Sequence, residues 1–180
     1  MPSPSPSSLP GSLRLAWPVL TALSLALALA APGALWAQQA ARVDSEPPPG
    51  DAALNSPYLD PDEDPQTFVD MFESESREVY QFRHRIVDAL GVEPGADVAD
   101  IGAGSGLFSR LFAEEVGPEG RVFAVDISEN LLEYIDRLNE EQGVANVETV
   151  LGGFTSPNLE PRSVDLVFVC DTYHHFGQPL

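Results

Sequence analysis

The sequence predicts an α/β fold on a parallel sheet, and three observations carry that expectation. Apolar runs of strand length at 97–101, 121–125, 147–151 and 164–170 are separated by stretches of helical period at 105–116 and 129–142. The first run, ending in Val98-Ala99-Asp100-Ile101, passes straight into Gly102-Ala103-Gly104-Ser105-Gly106, a glycine-rich turn that opens a helix. The second run, Val122 to Val125, ends in another acid, Asp126. Strands alternating with helices of this length must lie parallel and be joined by right-handed crossovers, with the expected order 3-2-1-4.

The elements follow in chain order. Residues 1–12 are rich in Pro and Ser, and Arg14 is the sole charged side chain before Arg42. Leu15 to Ala31 is apolar or small and ends at Pro32-Gly33. A bilayer span needs about 20 apolar residues, so this stretch has the size of a signal-peptide core, with cleavage expected after Ala37. The expectation is a signal peptide over 1–37 and export to the periplasm or cell envelope. An uncleaved N-terminal segment is the alternative, and through it the chain would touch the membrane. A misassigned start codon would instead leave the protein in the cytoplasm.

Residues 38–66 read as an acidic, proline-rich linker, with Glu46 to Gly50 and Asp60 to Pro65 unsuited to a packed core. From Thr67 the spacing of Phe68, Phe72, Val79, Phe82, Ile86 and Leu90 predicts one or two helices over 67–90, with Glu73 and Arg77 paired at i,i+4. Arg77 or Glu78 over the site, as part of a lid, is a second possibility for those side chains. The helix at 105–116 buries Leu107, Phe108, Leu111, Phe112 and Val116 and stops at Gly117-Pro118. Ser128 is an N-cap for the helix over 129–142, which Gly143 closes. Strand 164–170 is almost continuously apolar, as suits burial on both faces. In the order 3-2-1-4 it would be an open edge, so roughly three further strands are expected to be missing from the sequence.

The glycine turn and Asp126 are the parts a nucleoside-type ligand requires. Backbone without a Cβ passes close to the ligand, and an acid at the end of the second strand accepts hydrogen bonds from ribose hydroxyls. A dinucleotide fingerprint places two residues between its second and third glycines. Here Ser105 alone separates Gly104 from Gly106, and Asp100 stands two residues before Gly102. An acid at that point repels a pyrophosphate and suits an ammonium group. Asp-x-Gly-x-Gly-x-Gly followed by a strand ending in Asp resembles the S-adenosyl-L-methionine site of class I methyltransferases, a Rossmann-like fold with N-terminal helices.

The likeness runs from about Glu73 to Phe176. Glu75–Tyr80, Val98–Gly106, Val116–Asp126 and Ser163–Phe176 are similar to exported bacterial methyltransferase-domain proteins. The resemblance implies that Asp100, Gly102, Ala103, Gly104 and Gly106 line the methionine end of the cofactor. It puts Asp126 on the ribose, Ile127 against the adenine, and Cys170 and Asp171 beside the cofactor at the tip of the fourth strand. Many such proteins carry an acid after the third strand. This chain has Gly152-Gly153-Phe154, where Phe154 either stacks on the base or packs.

Methyl transfer asks the protein to align an acceptor and, where required, to remove a proton. Asp171, Tyr173, His174 and His175 stand beyond a strand's carboxyl end, where ligands bind in such sheets. They are the catalytic candidates, with at most one of the two histidines as general base. Cys170 is the sole cysteine, so no intramolecular disulfide forms, and no Cys/His spacing supports a metal site.

Nine basic residues, all arginine, face 28 acids, for a formal net charge of −19. Phosphate contacts need a basic footprint, so a nucleic-acid substrate is disfavoured and a small-molecule or cationic acceptor expected. The competing reading is a non-catalytic binding or interaction protein of the cell envelope that keeps the fold, because S-adenosyl-L-methionine is made in the cytosol. A dinucleotide oxidoreductase is the third. The sequence does not set the oligomeric state.

Overall fold

The computed structural model describes residues 52–176, so the expected signal peptide and the first part of the linker lie outside the described residues. The sheet has four parallel strands, β1 (Asp97–Ile101), β2 (Arg121–Asp126), β3 (Val147–Leu151) and β4 (Leu166–Val169), in the order β3-β2-β1-β4. The register pairs Val98 with Val122 and with Leu166, and Val122 with Val147. The expected topology and all four strands are present, β4 being shorter than the apolar run that announced it.

Ahead of the sheet stand α1 (Ala52–Asn55), a 3-10 turn (Ser56–Leu59), α2 (Pro65–Phe72), α3 (Glu78–Gln81) and α4 (Arg83–Leu90). Within it run α5 (Leu107–Val116) and α6 (Glu129–Gln142), and a 3-10 turn (Tyr173–His175) follows β4. The linker reading therefore gives way from Ala52 onward. Asp64-Pro65 is a helix start: the Asp64 side chain accepts from the Gln66 N–H at 2.9 Å, and proline needs no partner in the first turn. The segment is fastened to the core through Asn130 of α6, whose Nδ2 lies 3.1–3.2 Å from the carbonyl oxygens of Asp60, Pro61 and Glu63.

Right-handed crossovers in this strand order put α5 and α6 on one face of the sheet. Strand side chains alternate, and that face carries Val98 and Asp100 of β1, Val122 and Ala124 of β2, and Phe168 of β4. Phe108, Phe112 and Val116 of α5 and Val87 of α4 pack with Val98, Val122 and Phe168, while Leu132 and Ile135 of α6 close over Ala124. Phe112 lies 5.1 Å from Phe168, centroid to centroid, and is wholly buried. The caps are those the sequence signals. Ser128 Oγ accepts from the Leu131 N–H, and Gly143 ends α6 in the left-handed region at φ 70°. On the opposite face Val167 and Val169 of β4 are exposed, so among the described residues this strand is covered on one side.

Truncating Phe112 empties the contact that holds β4 and α5 together. Phe112→Ala is expected to cost about 3–5 kcal/mol, read as a lower urea midpoint with an unchanged slope.

Candidate functional site: a cavity over the glycine turn

A cavity of about 500 Å³ opens beyond the carboxyl ends of the strands, the size and place of a small-molecule site. Its floor is the turn after β1. Gly102, Gly104 and Gly106 all take positive φ, a region that costs other residues dearly. A Cβ on Gly102 would collide with the Thr172 side chain, and one on Gly104 would lie 3.0 Å from the Phe72 ring. The turn is held by the Gly102 and Ala103 N–H groups, both donating to Val125 O at 2.7 and 3.0 Å.

Asp126, at the end of β2, locks that turn. Its Oδ2 accepts from the Gly104 N–H at 2.8 Å and its Oδ1 from the Ser128 N–H at 3.0 Å. Burial pushes the carboxyl above its ordinary range, and the backbone N–H groups of Gly104, Ser128 and Ile127 oppose the shift. Both oxygens retain lone pairs, and Asp126 and Ile127 line the cavity.

Asp100 is placed differently from the sequence expectation. It points to the helix face of the sheet, where Ser109 of α5 donates to its Oδ2 at 2.7 Å, and it is not among the cavity-lining residues. From there it supports the turn from beneath, through the helix that follows it. Burial raises its pKa to about 6, opposed by the Ser109 bond and reinforced by the charge of Asp126. Gly106 is likewise outside the lining, turning the chain into α5 beneath Ile135. Gly102, Ala103, Gly104, Phe154 and Cys170 line the cavity. Burial pushes the Cys170 thiol up, the charges of Asp171 and Asp100 add to this and Arg77 opposes it, so the group stays protonated.

Beyond β4, Asp171 adopts φ 56°, a conformation short polar residues tolerate. This bend lays Thr172 over Gly102 and carries the 3-10 turn to the cavity. Of the catalytic candidates, Asp171 and His175 line the space, whereas Tyr173 and His174 do not. Asp171 is ion-paired with Arg77, which lines the cavity, while Glu78 does not. The expected Glu73–Arg77 pair is absent because α2 ends at Phe72 and α3 starts at Glu78. Glu73 instead pairs with Arg110 at 3.0 Å, and Arg110 also donates to Ser105 O at 2.8 Å.

Asn55, Tyr58, Phe72, Thr172 and Phe176 complete the wall and went unnamed as site residues at the level of sequence. Tyr58 lies tilted against Phe68 at 4.8 Å and meets His175 edge-on at 5.4 Å. Burial first, then the charges of Asp126 and Asp171, push its phenol up, so it remains a donor. The apolar residues Leu54, Tyr58 and Leu59 inside an acidic, proline-rich stretch were the one available signal. Among the described residues no group of three His, Cys, Asp or Glu side chains has a metal-binding arrangement.

Sheet order and helices are those of a Rossmann-like α/β fold of the class I methyltransferase type. Residues 98–180 match the family described as Methyltransferase domain. A solved SAM dependent methyltransferase from Aquifex aeolicus superposes with a TM-score of 0.58 at 26% identity, over 65% of this chain and 62% of that one. The protein-L-isoaspartate O-methyltransferase of Aeropyrum pernix is 43% identical over 75 residues, 42% of this chain and 29% of that protein. The nocamycin O-methyltransferase of Saccharothrix syringae is 34% identical over 83 residues, 46% of this chain and 30% of that protein. The chain thus spans under a third of the length of these two curated relatives.

Asp100 gives a pH test with a definite sign. Its folded pKa is raised, so its stabilising contribution is complete below the unfolded value near 4 and is lost as pH rises through about 6. Asp100→Asn is expected to remove on the order of 3 kcal/mol of that decline. The check is the difference in urea-unfolding free energy between wild type and variant at pH 4 and pH 7.5.

Proposed function

We propose that this chain binds S-adenosyl-L-methionine and transfers its methyl group to a small-molecule acceptor. The observation that carries the proposal is the Asp126 carboxylate tied to the Gly104 N–H beneath a cavity of about 500 Å³. A fixed acid at the end of β2 and a turn of small residues after β1 fit a nucleoside joined to an amino acid.

Asp126 would hold the ribose hydroxyls, Ile127 and Phe154 the base, and the backbone of Gly102, Ala103 and Gly104 the methionine end. When bound, the cofactor supplies a methyl group already activated by the positive charge on sulfur. The chain's own contribution is placement and exclusion of water. Phe72 covers Gly104, Tyr58 backs it with a protonated hydroxyl, and the Arg77–Asp171 pair stands at the cavity wall. His175, which lines the cavity, would accept a proton from the acceptor.

The acidic sequence favours a neutral or cationic acceptor over nucleic acid. Export through residues 1–37 belongs to the same proposal. A fusion of those residues to a reporter enzyme that works only outside the cytoplasm should yield activity, and a reporter left inactive in the cytoplasm would remove export from the account.

The direct test is calorimetric titration of the full chain with S-adenosylhomocysteine. Micromolar binding is expected, weakened at least tenfold, about 1.4 kcal/mol, in Asp126→Ala, and not displaced by NAD. A folded protein that takes up NAD and not S-adenosylhomocysteine contradicts the proposal.

A further inference from the structure

Asn55 is buried to 1% exposure at the end of a four-residue helix, 120 residues from the side chain it meets. Its Nδ2 donates to the carbonyl oxygen of His175 at 3.2 Å, and its Oδ1 lies 2.9 Å from Nδ1 of the same residue. The two contacts together decide where the protons are. The backbone carbonyl can only accept, so it must face the amide NH₂, which directs Oδ1 at the ring. That oxygen can also only accept, so Nδ1 carries the hydrogen. In the neutral ring the lone pair is then on Nε2.

We infer that Asn55 is a positioning residue that holds His175 as its Nδ1–H tautomer and leaves Nε2 as a proton acceptor on the cavity wall. The inference rests on the methyl-transfer reading for its consequence, though not for its geometry. It also deepens that reading, because the acceptor must then present an O–H or N–H. That bond breaks, the electron pair stays on the acceptor atom, and the proton bonds Nε2. The resulting imidazolium keeps its Nδ1–H on Asn55, so the ring does not reorient as it charges. Histidine free in water favours the other tautomer, so this arrangement has to be imposed.

The surroundings agree. Burial, then the adjacent His174 ring at 4.2 Å, hold His175 below the ordinary histidine value, and Asp171 opposes them. Asp171 is itself paired with Arg77, and Tyr58 presents its neutral ring edge-on. A histidine kept uncharged at neutral pH is available as a base.

The test is nitrogen-15 NMR of the full chain at pH 7.5, with His175 assigned against His175→Gln and its tautomer read from long-range proton–nitrogen correlations. Wild type should show the Nδ1–H form in excess. Asn55→Leu should lower the Nδ1–H to Nε2–H ratio by about fivefold, as loss of one hydrogen bond implies. Asn55→Asp should raise the pH at which His175 titrates, since a carboxylate then faces the imidazolium. Wild type in the Nε2–H form, a folded Asn55→Leu with an unaltered ratio, or an unmoved titration in Asn55→Asp overturns the inference. The wild-type spectrum and the Asp variant serve if the Leu variant does not fold. S-adenosylhomocysteine affinity, measured on the same wild-type sample, reports separately on the cofactor site.

Discussion

One hydrogen bond pattern organises the rest: a buried carboxylate at the end of β2 accepts from the turn after β1 and from the cap of α6. Asp126 thereby connects Gly104, its own strand and Ser128. An unpaired carboxylate could not stay charged at that depth, and the backbone N–H groups around it are what allow one to be there. The turn cannot relax without stranding that charge. This is how a loop of small residues, which would be mobile alone, becomes a shaped surface. Asp100 lies one layer below, on the helix side, and carries a burial cost of its own that the Ser109 hydroxyl only partly offsets.

The other half of the cavity has a different origin. Asn55, Tyr58, Phe72 and Arg77 come from residues ahead of the span that matches the methyltransferase domain family. This segment is drawn against the sheet by contacts to later elements: Asn55 to His175 and Arg77 to Asp171 beyond β4, and Glu73 to Arg110 of α5. Rossmann-like sheets supply the cofactor side of such a site, and recognition of a second molecule falls to what covers it. Here the cover is aromatic, with one ion pair and one histidine.

The four strands and two crossover helices were legible because each is bounded by residues with a local cause. Ser128 and Gly143 bracket α6, and Gly102, Gly104 and Gly106 need φ values other residues avoid. Asp126 and Ile127, singled out from the sequence, both line the cavity. What was not legible depends on contacts far apart in the chain. Asp100 shares the strand parity of Val98 and so faces α5, a consequence of crossover handedness and not of spacing to the glycines. The Glu73–Arg77 pairing presumed an unbroken helix, whereas the chain bends between them and each finds a partner in a later element. Proline and acid content around 57–65 disguised a segment whose Asn55 and Tyr58 act only once β4 and its turn are in place.

In the proposed reaction one wall, anchored by Asp126, would hold the nucleoside, while the wall bearing His175 would hold the acceptor. A crystal structure of the full chain with S-adenosylhomocysteine tests it most directly. The account predicts ribose hydroxyls on the Asp126 carboxylate, the homocysteine portion along Gly102 to Gly104, and the sulfur facing the side of the cavity lined by His175. A nucleoside bound elsewhere, or one lying against His175 with Asp126 uncontacted, would contradict it.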